Sequence, residues 1–336
     1  MTDQLTLFET APEPRADDGA AALARVHAEA RIIAHALPVG LHFGTSSWSF
    51  PGWKGLVYSG RIAAGSLGRD GLREYAQHPL LTTVGIDRGY YAPIPVEDLR
   101  RYADQLPDGF RCCTKAPAAV TALTLGGPGA RATLNPDFLS VDRWVEDQLQ
   151  PFALSFRAHT GPFIIEFPPF PKHVRLEPDE FLNRLDRFLE RLPREFEYAV
   201  ELRDQRLLTP AYPQLLARYG VAHTFNYWSA MPMPTAQAAV VPPEDLPFTV
   251  VRLLLKPGTW YEDQRERFKP FNALVEPDDQ MRADVDTVTR RALAGGRRVY
   301  LLVNNKAEGS SPLTVMELAR RLTHATVHQE MPQPGR

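Results

Sequence analysis

The length and charge of the chain exclude several classes of protein. Its 336 residues correspond to roughly two ordinary domains or to one large barrel. The 38 basic and 40 acidic residues leave a formal net charge of −2, which argues against coating of nucleic acid by bulk positive charge. A local basic cleft stays compatible with that balance. The fractions of 44% hydrophobic and 23% charged residues indicate a globular protein with a sizeable core.

The cysteines and the absence of long apolar segments indicate a cytoplasmic protein. Cys112 and Cys113 are adjacent, so they form neither an ordinary disulfide nor a zinc cluster, and we interpret them as inert core thiols. No stretch has the length of a membrane span, and the polar N-terminus lacks the apolar core of a signal peptide. We therefore expect a cytoplasmic location and no membrane partner.

The N-terminal part of the chain predicts a tail followed by a helix. Residues 1–16 contain two prolines and several acidic groups, and we expect them to form a flexible tail. Residues 17–38 are predicted to be a helix. Its apolar stripe consists of Leu23, Val26, Ala30, Ile33 and Leu37, spaced three and four residues apart. Such a stripe needs an apolar surface, so we expect the helix to dock on the outside or the bottom of the main domain.

From residue 41 onward, short apolar runs alternate along the chain with amphipathic segments. The predicted strands are 41–44, 82–86, 110–114, 163–167, 198–202, 222–225, 249–254 and 299–303. The predicted helices are 96–105, 136–155, 178–192, 210–219, 277–294 and 312–322. Several of these helices begin with proline, which suits a first helical turn. The segment 230–244, after the sixth strand, is predicted to be a proline-rich loop.

This order of elements predicts a (β/α)8 TIM barrel over residues 39–328, followed by a flexible C-terminus at 329–336. Eight strands that are mostly followed by a helix favour parallel pairing through right-handed crossovers. The alternative is an open doubly wound sheet, which usually carries a glycine-rich phosphate-binding turn after its first strand. The turn here reads Gly44-Thr45-Ser46-Ser47-Trp48, so we favour the barrel.

Active chemistry in such a barrel belongs at the C-terminal ends of the strands, where we find three candidate catalytic carboxylates. They are Glu166, Glu201 and Asp87, which would act as acid–base groups or hold one Mg²⁺ or Mn²⁺ ion. Glu201 and Arg203 lie two residues apart on a strand and point to one side, so an ion pair that only sets local geometry is an equal alternative. For Glu166 the alternative is a hydrogen bond to loop backbone. The sequence requires no cofactor, and its histidine spacing disfavours a zinc cluster.

Cations and aromatic residues at the same strand ends predict an anionic ligand. The ligand-binding candidates are Lys115, Arg203, Lys256, Arg252, Asn304, Tyr90 and Trp48. The cations would form a local positive funnel that suits a phosphate or phosphodiester. Lys306 either belongs to this funnel or points to solvent. The aromatic residues at this rim are Trp48, Tyr90, Tyr91, Tyr227 and Trp228; they would stack on bases or sugars, or close the barrel by packing.

The strand-end motifs resemble those of the YecE-like family (domain of unknown function, number seventy-two), a group of TIM barrels. The matching stretches are Gly44-Thr-Ser-Ser-Trp-Ser-Phe-Pro-Gly-Trp53, Tyr90-Tyr91, Lys115-Ala-Pro117, Glu166-Phe-Pro-Pro169, Glu201-Leu-Arg203 and Asn304-Asn305. They extend over residues 41–322. The resemblance implies the barrel fold. It implies no settled activity. The family fold is similar to that of xylose-isomerase and endonuclease-IV-type barrels, and this likeness of fold suggests a nucleic-acid role.

A short motif in the predicted tail suggests a protein partner. Gln4-Leu5-Thr6-Leu7-Phe8 resembles the peptide by which bacterial DNA-repair and replication proteins dock on the sliding clamp. In a docked peptide, Leu5, Leu7 and Phe8 would supply the apolar contacts and Gln4 the polar ones. The alternative is a chance apolar patch, or a short strand that closes the barrel bottom.

These observations leave three hypotheses about function. The leading one is a barrel that is tethered to the sliding clamp and acts on DNA or a phosphorylated small molecule as a hydrolase or lyase. The second is a carbohydrate or small-metabolite enzyme that uses the paired glutamates. The third is a non-catalytic binding barrel.

Overall fold

The computed structural model describes residues 16–125, 133–170, 174 and 176–324. The predicted docking peptide at residues 4–8 and the predicted C-terminal tail at 329–336 lie outside the described residues. Within the described ranges, no helix combines the length and the apolar character needed to cross a membrane.

Eight parallel strands form a barrel in the described part of the chain. They are β1 Leu41–Thr45, β2 Thr83–Ile86, β3 Arg111–Lys115, β4 Thr160–Phe167, β5 Tyr198–Leu202, β6 Ala222–Tyr227, β7 Thr249–Leu253 and β8 Val299–Val303. Neighbouring strands follow the order β1-β8-β7-β6-β5-β4-β3-β2. The ring closes between β1 and the start of β2, where Phe43 bridges to Leu81 and the Thr82 N–H donates to the Phe43 carbonyl at 2.9 Å. The prediction of a TIM barrel is confirmed.

Helices lie between the strands along the chain. They are α1 Ala16–His35, α2 Val96–Ala103, α3, α4 Pro178–Arg191, α5 Tyr212–Tyr219, α6 Pro234–Val240, α7 Tyr261–Phe268, α8 Asp279–Ala294 and α9 Ser311–His324. Helix α3 runs through Val141–Trp144, a π-helical turn at Val145–Leu149, and Gln150–Ser155. Single-turn helices occupy Leu67–Asp70, Leu72–Tyr75 and Ala118–Thr121, and a small antiparallel pair joins Thr124–Leu125 to Thr133–Leu134.

Helix α6 corrects the prediction that residues 230–244 form a proline-rich loop. Pro234 stands at the start of the helix, where a missing N–H costs nothing. Gln237 is fully buried, and its Nε2 donates to the carbonyl oxygens of Asn226 and Pro232, both at 2.7 Å. The prolines therefore flank and initiate this helix, and a buried glutamine attaches it to the end of β6.

Helix α1 packs on the outside of the barrel. Ala30 and Ile33 of its apolar stripe are buried, and Glu29 forms a salt bridge with Arg320 of α9. The helix ends at His35, so Leu37 lies beyond it and is partly buried.

The interior of the barrel forms an apolar floor beneath the C-terminal opening. The side chains of Cys113, Ile164, Ala199 and Val250 pack together there. Residues two positions further along a strand face the same side. The next inward positions on these strands are Lys115, Glu166, Glu201 and Arg252, so the alternation of each strand places a charged layer directly above the apolar one.

Candidate functional site

Six charged side chains from five strand ends form one connected ion-pair network at the C-terminal opening. The members of this ion-pair network are Asp87, Lys115, Glu166, Glu201, Arg203 and Arg252. They lie at the ends of β2, β3, β4, β5 and β7. Asp87, the first of the six in the sequence, contacts Arg252, the last. Closure of the barrel is what brings them together.

Glu166 is the carboxylate that binds three cations. Its Oε2 lies 3.0 Å from Lys115 Nζ, 2.6 Å from Arg203 Nη2 and 3.1 Å from Arg252 Nη1. Burial by itself would raise the pKa of Glu166, but the charges of Arg203, Lys115 and Arg252 outweigh it and hold the pKa well below its usual value. Glu166 is therefore ionised at neutral pH.

Glu201 is the member of the network that has no exposed surface. Its Oε1 accepts from Arg203 Nε at 2.5 Å, and its Oε2 accepts from Arg252 Nη1 at 2.5 Å. The contact with Arg203 is the ion pair expected from their spacing along β5. Because Glu201 is fully covered, it orients the two guanidinium groups and does not itself face the opening.

Arg252 connects all three carboxylates. Besides binding Glu166 and Glu201 through Nη1, it directs Nη2 toward Asp87 at 3.3 and 3.4 Å. Burial would lower the pKa of Arg252, but Glu201, Asp87 and Glu166 raise it above its ordinary value. The guanidinium is therefore permanently charged.

The charges of the network cancel, with three carboxylates against three cations. The predicted positive funnel is thus a neutral network of ion pairs. Among its carboxylates, Asp87 is the one that solvent reaches, because its side chain is 33% exposed, compared with 9% for Glu166 and 0% for Glu201.

Two aromatic rings cover the cations on the side of the opening. Lys115 Nζ lies 3.7 Å from the centroid of the Tyr90 ring, and the Arg203 guanidinium carbon lies 4.2 Å from that of Trp228. Burial, followed by the charge of Glu166, raises the pKa of Tyr90 to about 12. Tyr90 is therefore a neutral phenol that packs on Lys115.

Comparison with known proteins assigns the chain to a family. A family profile described as "Protein of unknown function DUF72" matches residues 42–336. The chain belongs to the DUF72 family. This result confirms the resemblance to the YecE-like family that the strand-end motifs indicated.

Two solved structures share the fold of this DUF72 chain. A DUF72 family protein from Thermotoga maritima is 16% identical, with a TM-score of 0.58 over 84% of this chain and 98% of that chain. A DUF72 family protein from Enterococcus faecalis is 18% identical, with a TM-score of 0.57 over 88% of this chain and 99% of that chain. No curated protein matches the sequence. At these identities the likeness supports the barrel fold alone.

Four of the predicted ligand-binding residues of this DUF72 barrel lie outside the network; Tyr90 packs on its Lys115, and the other three do not contact it. Trp48 is 5% exposed, donates its Nε1–H to the Leu67 carbonyl at 3.1 Å and packs edge-on against Tyr102, so its surroundings are those of a core residue. Lys256 binds Glu276 at 2.7 Å. Asn304 Oδ1 accepts from the Lys306 backbone N–H at 3.1 Å and so shapes the turn after β8.

The sequence placed Trp228 and Lys306 at the strand ends but left each open between ligand binding and packing or solvent exposure, and it did not indicate Tyr261. Trp228 directly follows β6 and covers the Arg203 guanidinium. Tyr261 is in α7, well beyond the end of β7, yet its ring centroid lies 4.2 Å from Lys306 Nζ. No periodicity in the sequence predicts that contact, because it depends on how the segment between β7 and α8 folds back over the opening.

The carboxylates of the ion-pair network are bound by cationic side chains of the chain itself. No group of three His, Cys, Asp or Glu side chains in the part of the chain that the structure describes is arranged to hold a metal ion. The oxygens of Glu166 and Glu201 that face the centre of the network already accept hydrogen bonds from arginine. Arginine therefore occupies the position that a divalent cation would need.

Proposed function

We propose that this DUF72 barrel binds a phosphate-bearing ligand, a nucleotide or a DNA segment, at the ion-pair network and processes it as a hydrolase or lyase. The observation that carries the proposal is the convergence of Lys115 and Arg203 on Glu166 at the C-terminal opening. In TIM barrels this end of the strands is where ligands bind.

The network leaves hydrogen-bond donors available for a phosphate. Arg203 uses Nε and Nη2 on the two glutamates, and its Nη1 makes no hydrogen bond with any residue that the structure describes. The Lys115 ammonium has three N–H groups and contacts a single carboxylate. Because Glu166 and Glu201 hold both side chains in place, a phosphate would bind donors that lose little conformational entropy.

The three carboxylates would have different roles in such a reaction. Asp87 is the candidate general base, because it is the most exposed and its contact with Arg252 is the longest in the network. Glu166 and Glu201 would be positioning residues that orient Lys115 and Arg203. Arg252 would hold the three carboxylates in place through its ion pairs with each of them.

A glycosidase-type mechanism has less support from this geometry. It needs one carboxylic acid that is protonated at neutral pH, with a raised pKa. The pKa of Glu166 is lowered, and both glutamates are bound to the same nitrogen of Arg252. The second candidate function is therefore a non-catalytic binding barrel, which is favoured by the pairing of every carboxylate with an arginine.

The proposal is tested by calorimetric titration of the full chain with thymidine monophosphate and with thymidine. We expect the monophosphate to bind and the nucleoside to bind at least roughly tenfold more weakly, since a charge-assisted hydrogen bond contributes about 1.5–3 kcal/mol. Arg203→Lys keeps the charge but removes the guanidinium fork, so it should weaken monophosphate binding by a similar factor. Arg157→Lys, at the opposite end of the barrel, is the matched control. Equal binding of both compounds would exclude phosphate recognition.

Asp87→Asn separates an enzyme from a binding protein. If the chain processes its ligand, this variant should retain binding and lose turnover, because the amide cannot accept a proton. Turnover that persists in Asp87→Asn would remove Asp87 from the catalytic role.

We propose further that Gln4, Leu5, Leu7 and Phe8 dock the chain on the bacterial sliding clamp, with the tail as a tether. These residues lie outside the described part, and the proposal rests on their resemblance to clamp-binding peptides. Surface plasmon resonance on immobilised clamp should show binding of the full chain and its loss in a Leu7→Ala, Phe8→Ala double variant. Thr6→Ser should retain binding, and a double variant that binds as well as the wild type would contradict docking.

A further inference from the structure

We propose that a single strand of nucleic acid crosses the opening of the barrel over an aromatic platform, formed by Tyr91, Trp260 and Tyr261, with Lys306 as a phosphate partner. This inference rests on the proposed function, since it specifies the kind of phosphate-bearing ligand and adds residues that the ion-pair network does not contain.

The platform consists of aromatic side chains that water reaches freely. Tyr91 is 83% exposed, Trp260 is 78% exposed and Tyr261 is 47% exposed. Tyr91 lies in the segment after β2, and the other two lie where α7 begins after β7. Isolated exposed apolar side chains are ordinary, but three aromatic rings at the opening of one barrel offer faces on which a planar group can stack.

Contacts through Tyr90 connect Tyr91 of the platform to the ion-pair network. Lys115 Nζ covers the Tyr90 ring, and the Tyr90 and Tyr91 rings meet edge to face with their centroids 5.2 Å apart. Lys306 Nζ lies over the Tyr261 ring. One cation, Lys115, thus contacts the ring next to Tyr91, and another, Lys306, contacts the ring of Tyr261.

Lys306 is a buried cation that pairs with no carboxylate among the residues that the structure describes. The residue is 8% exposed, and within the described ranges no carboxylate lies within salt-bridge distance of its ammonium. Lys115 and Lys256, by contrast, bind Glu166 and Glu276. A buried charge that lacks a counter-ion is costly, and an anionic ligand would supply one.

The alternation of cations and rings favours nucleic acid over carbohydrate. A single strand presents phosphates and planar bases in turn, and proteins bind it by combining basic groups with stacking rings. A neutral sugar could stack on the same rings but would leave Lys306 without an anion. Because Lys306 stands beside the platform and Lys115 and Arg203 stand together in the network, about two phosphates should be contacted, one at each position. The binding constant should then fall by a factor of roughly 25 per tenfold rise in salt.

The experiment measures fluorescence anisotropy of a fluorescein-labelled oligothymidylate of about twelve nucleotides, titrated with the full-length protein at low salt. We expect Trp260→Leu, Tyr91→Leu and Lys306→Gln each to weaken binding by roughly tenfold, the range typical of one stacked base or one phosphate contact. Leu154→Ala, at a 75% exposed apolar position on α3, and Arg157→Gln, at the opposite end of the barrel, are the matched controls and should bind like the wild type. Circular dichroism melting curves verify that each variant is folded.

The outcomes separate this inference from the proposed function. If Trp260→Leu and Tyr91→Leu bind the oligonucleotide as tightly as the wild type, the platform is wrong even where Arg203→Lys weakens monophosphate binding. Binding of maltohexaose in place of the oligonucleotide also overturns the platform. If the wild type binds neither thymidine monophosphate nor the oligonucleotide, the proposed function and this inference both fail.

Discussion

At the scale of single residues, Glu201 illustrates how burial decides the role of a carboxylate that the sequence places at a strand end. At a strand end it looks like a catalytic acid or base. In the barrel it is completely covered and bound by Arg203 and Arg252, so its charge serves to orient those two side chains. The sequence supplied the residue and its strand position, but the burial that decides its role arises from the packing of neighbouring strands.

We predict that Glu201→Gln lowers the free energy of unfolding by about 3–5 kcal/mol, because it removes the buried counter-charge that two buried guanidinium groups share. Urea denaturation followed by fluorescence measures the change. Glu262→Gln removes an ion pair with Arg265 whose two side chains are 68% and 48% exposed, and it should cost less than about 1 kcal/mol. Similar losses in the two variants would show that the network does not bear on stability.

The lowered pKa of Glu166 predicts a pH dependence. The unfolded chain takes up a proton near the usual carboxyl pKa of 4.5, whereas the folded chain takes it up only at lower pH. The stability that Glu166 contributes is therefore complete above about pH 5 and is lost as the pH falls. The difference in unfolding free energy between the wild type and Glu166→Gln should shrink between about pH 5 and pH 3. A difference that stays constant over that range would contradict the assignment.

At the scale of elements, the predicted strand boundaries agree with the structure to within three residues, and five of the six predicted helix starts to within two. Predicted helix 136–155 begins only at Val141, because Leu139 adopts a positive φ of 62° and Ser140 caps the helix by accepting from the Arg143 N–H. Strand alternation is a local property, which explains its success. A helix start depends on one capping contact or one backbone angle, which the apolar spacing does not report.

Gln237 yields a prediction for the α6 element. Its amide binds the backbone of Asn226 and Pro232, next to the loop that carries Trp228 over Arg203. Gln237→Leu should destabilise the fold by roughly 2–3 kcal/mol, because buried backbone groups lose their partners. Amide hydrogen exchange should accelerate in residues 226–240. The exposed Gln214→Leu on α5 should change neither quantity, and unchanged exchange in Gln237→Leu would show that α6 does not depend on this contact.

At the scale of the whole molecule, the site exists because the ring closes. Closure requires glycine in both β1 and β2. A Cβ at Gly44 would lie 2.2 Å from the carbonyl oxygen of Thr83, and a Cβ at Gly85 would lie 2.7 Å from the carbonyl oxygen of Ser46. The first two strands therefore approach too closely for any side chain at these positions. Without that seam, Asp87 and Arg252 would not be held on the same opening.

We predict that Gly44→Ala destabilises the barrel by at least about 1–3 kcal/mol, because the added methyl group forces the β1–β2 seam apart. Thermal unfolding measures the loss. Gly65→Ala, where an added Cβ meets no atom within 4 Å, should leave the melting temperature nearly unchanged. A Gly44→Ala protein as stable as the wild type would mean that the seam can open without cost.

The sequence by itself determined the barrel and the end of it that carries the charged residues, because strand alternation and the order of elements are encoded in neighbouring positions. It did not determine how the charges pair. Lys256 and Arg252 both looked like ligand cations, yet Lys256 binds Glu276 while Arg252 is bound by three carboxylates. Such contacts join strands far apart in the chain, and side-chain reach and burial within the closed ring decide them. In the tertiary structure, cations that were predicted to form a positive funnel pair with carboxylates in a neutral network. Lys306 lies instead over the ring of Tyr261.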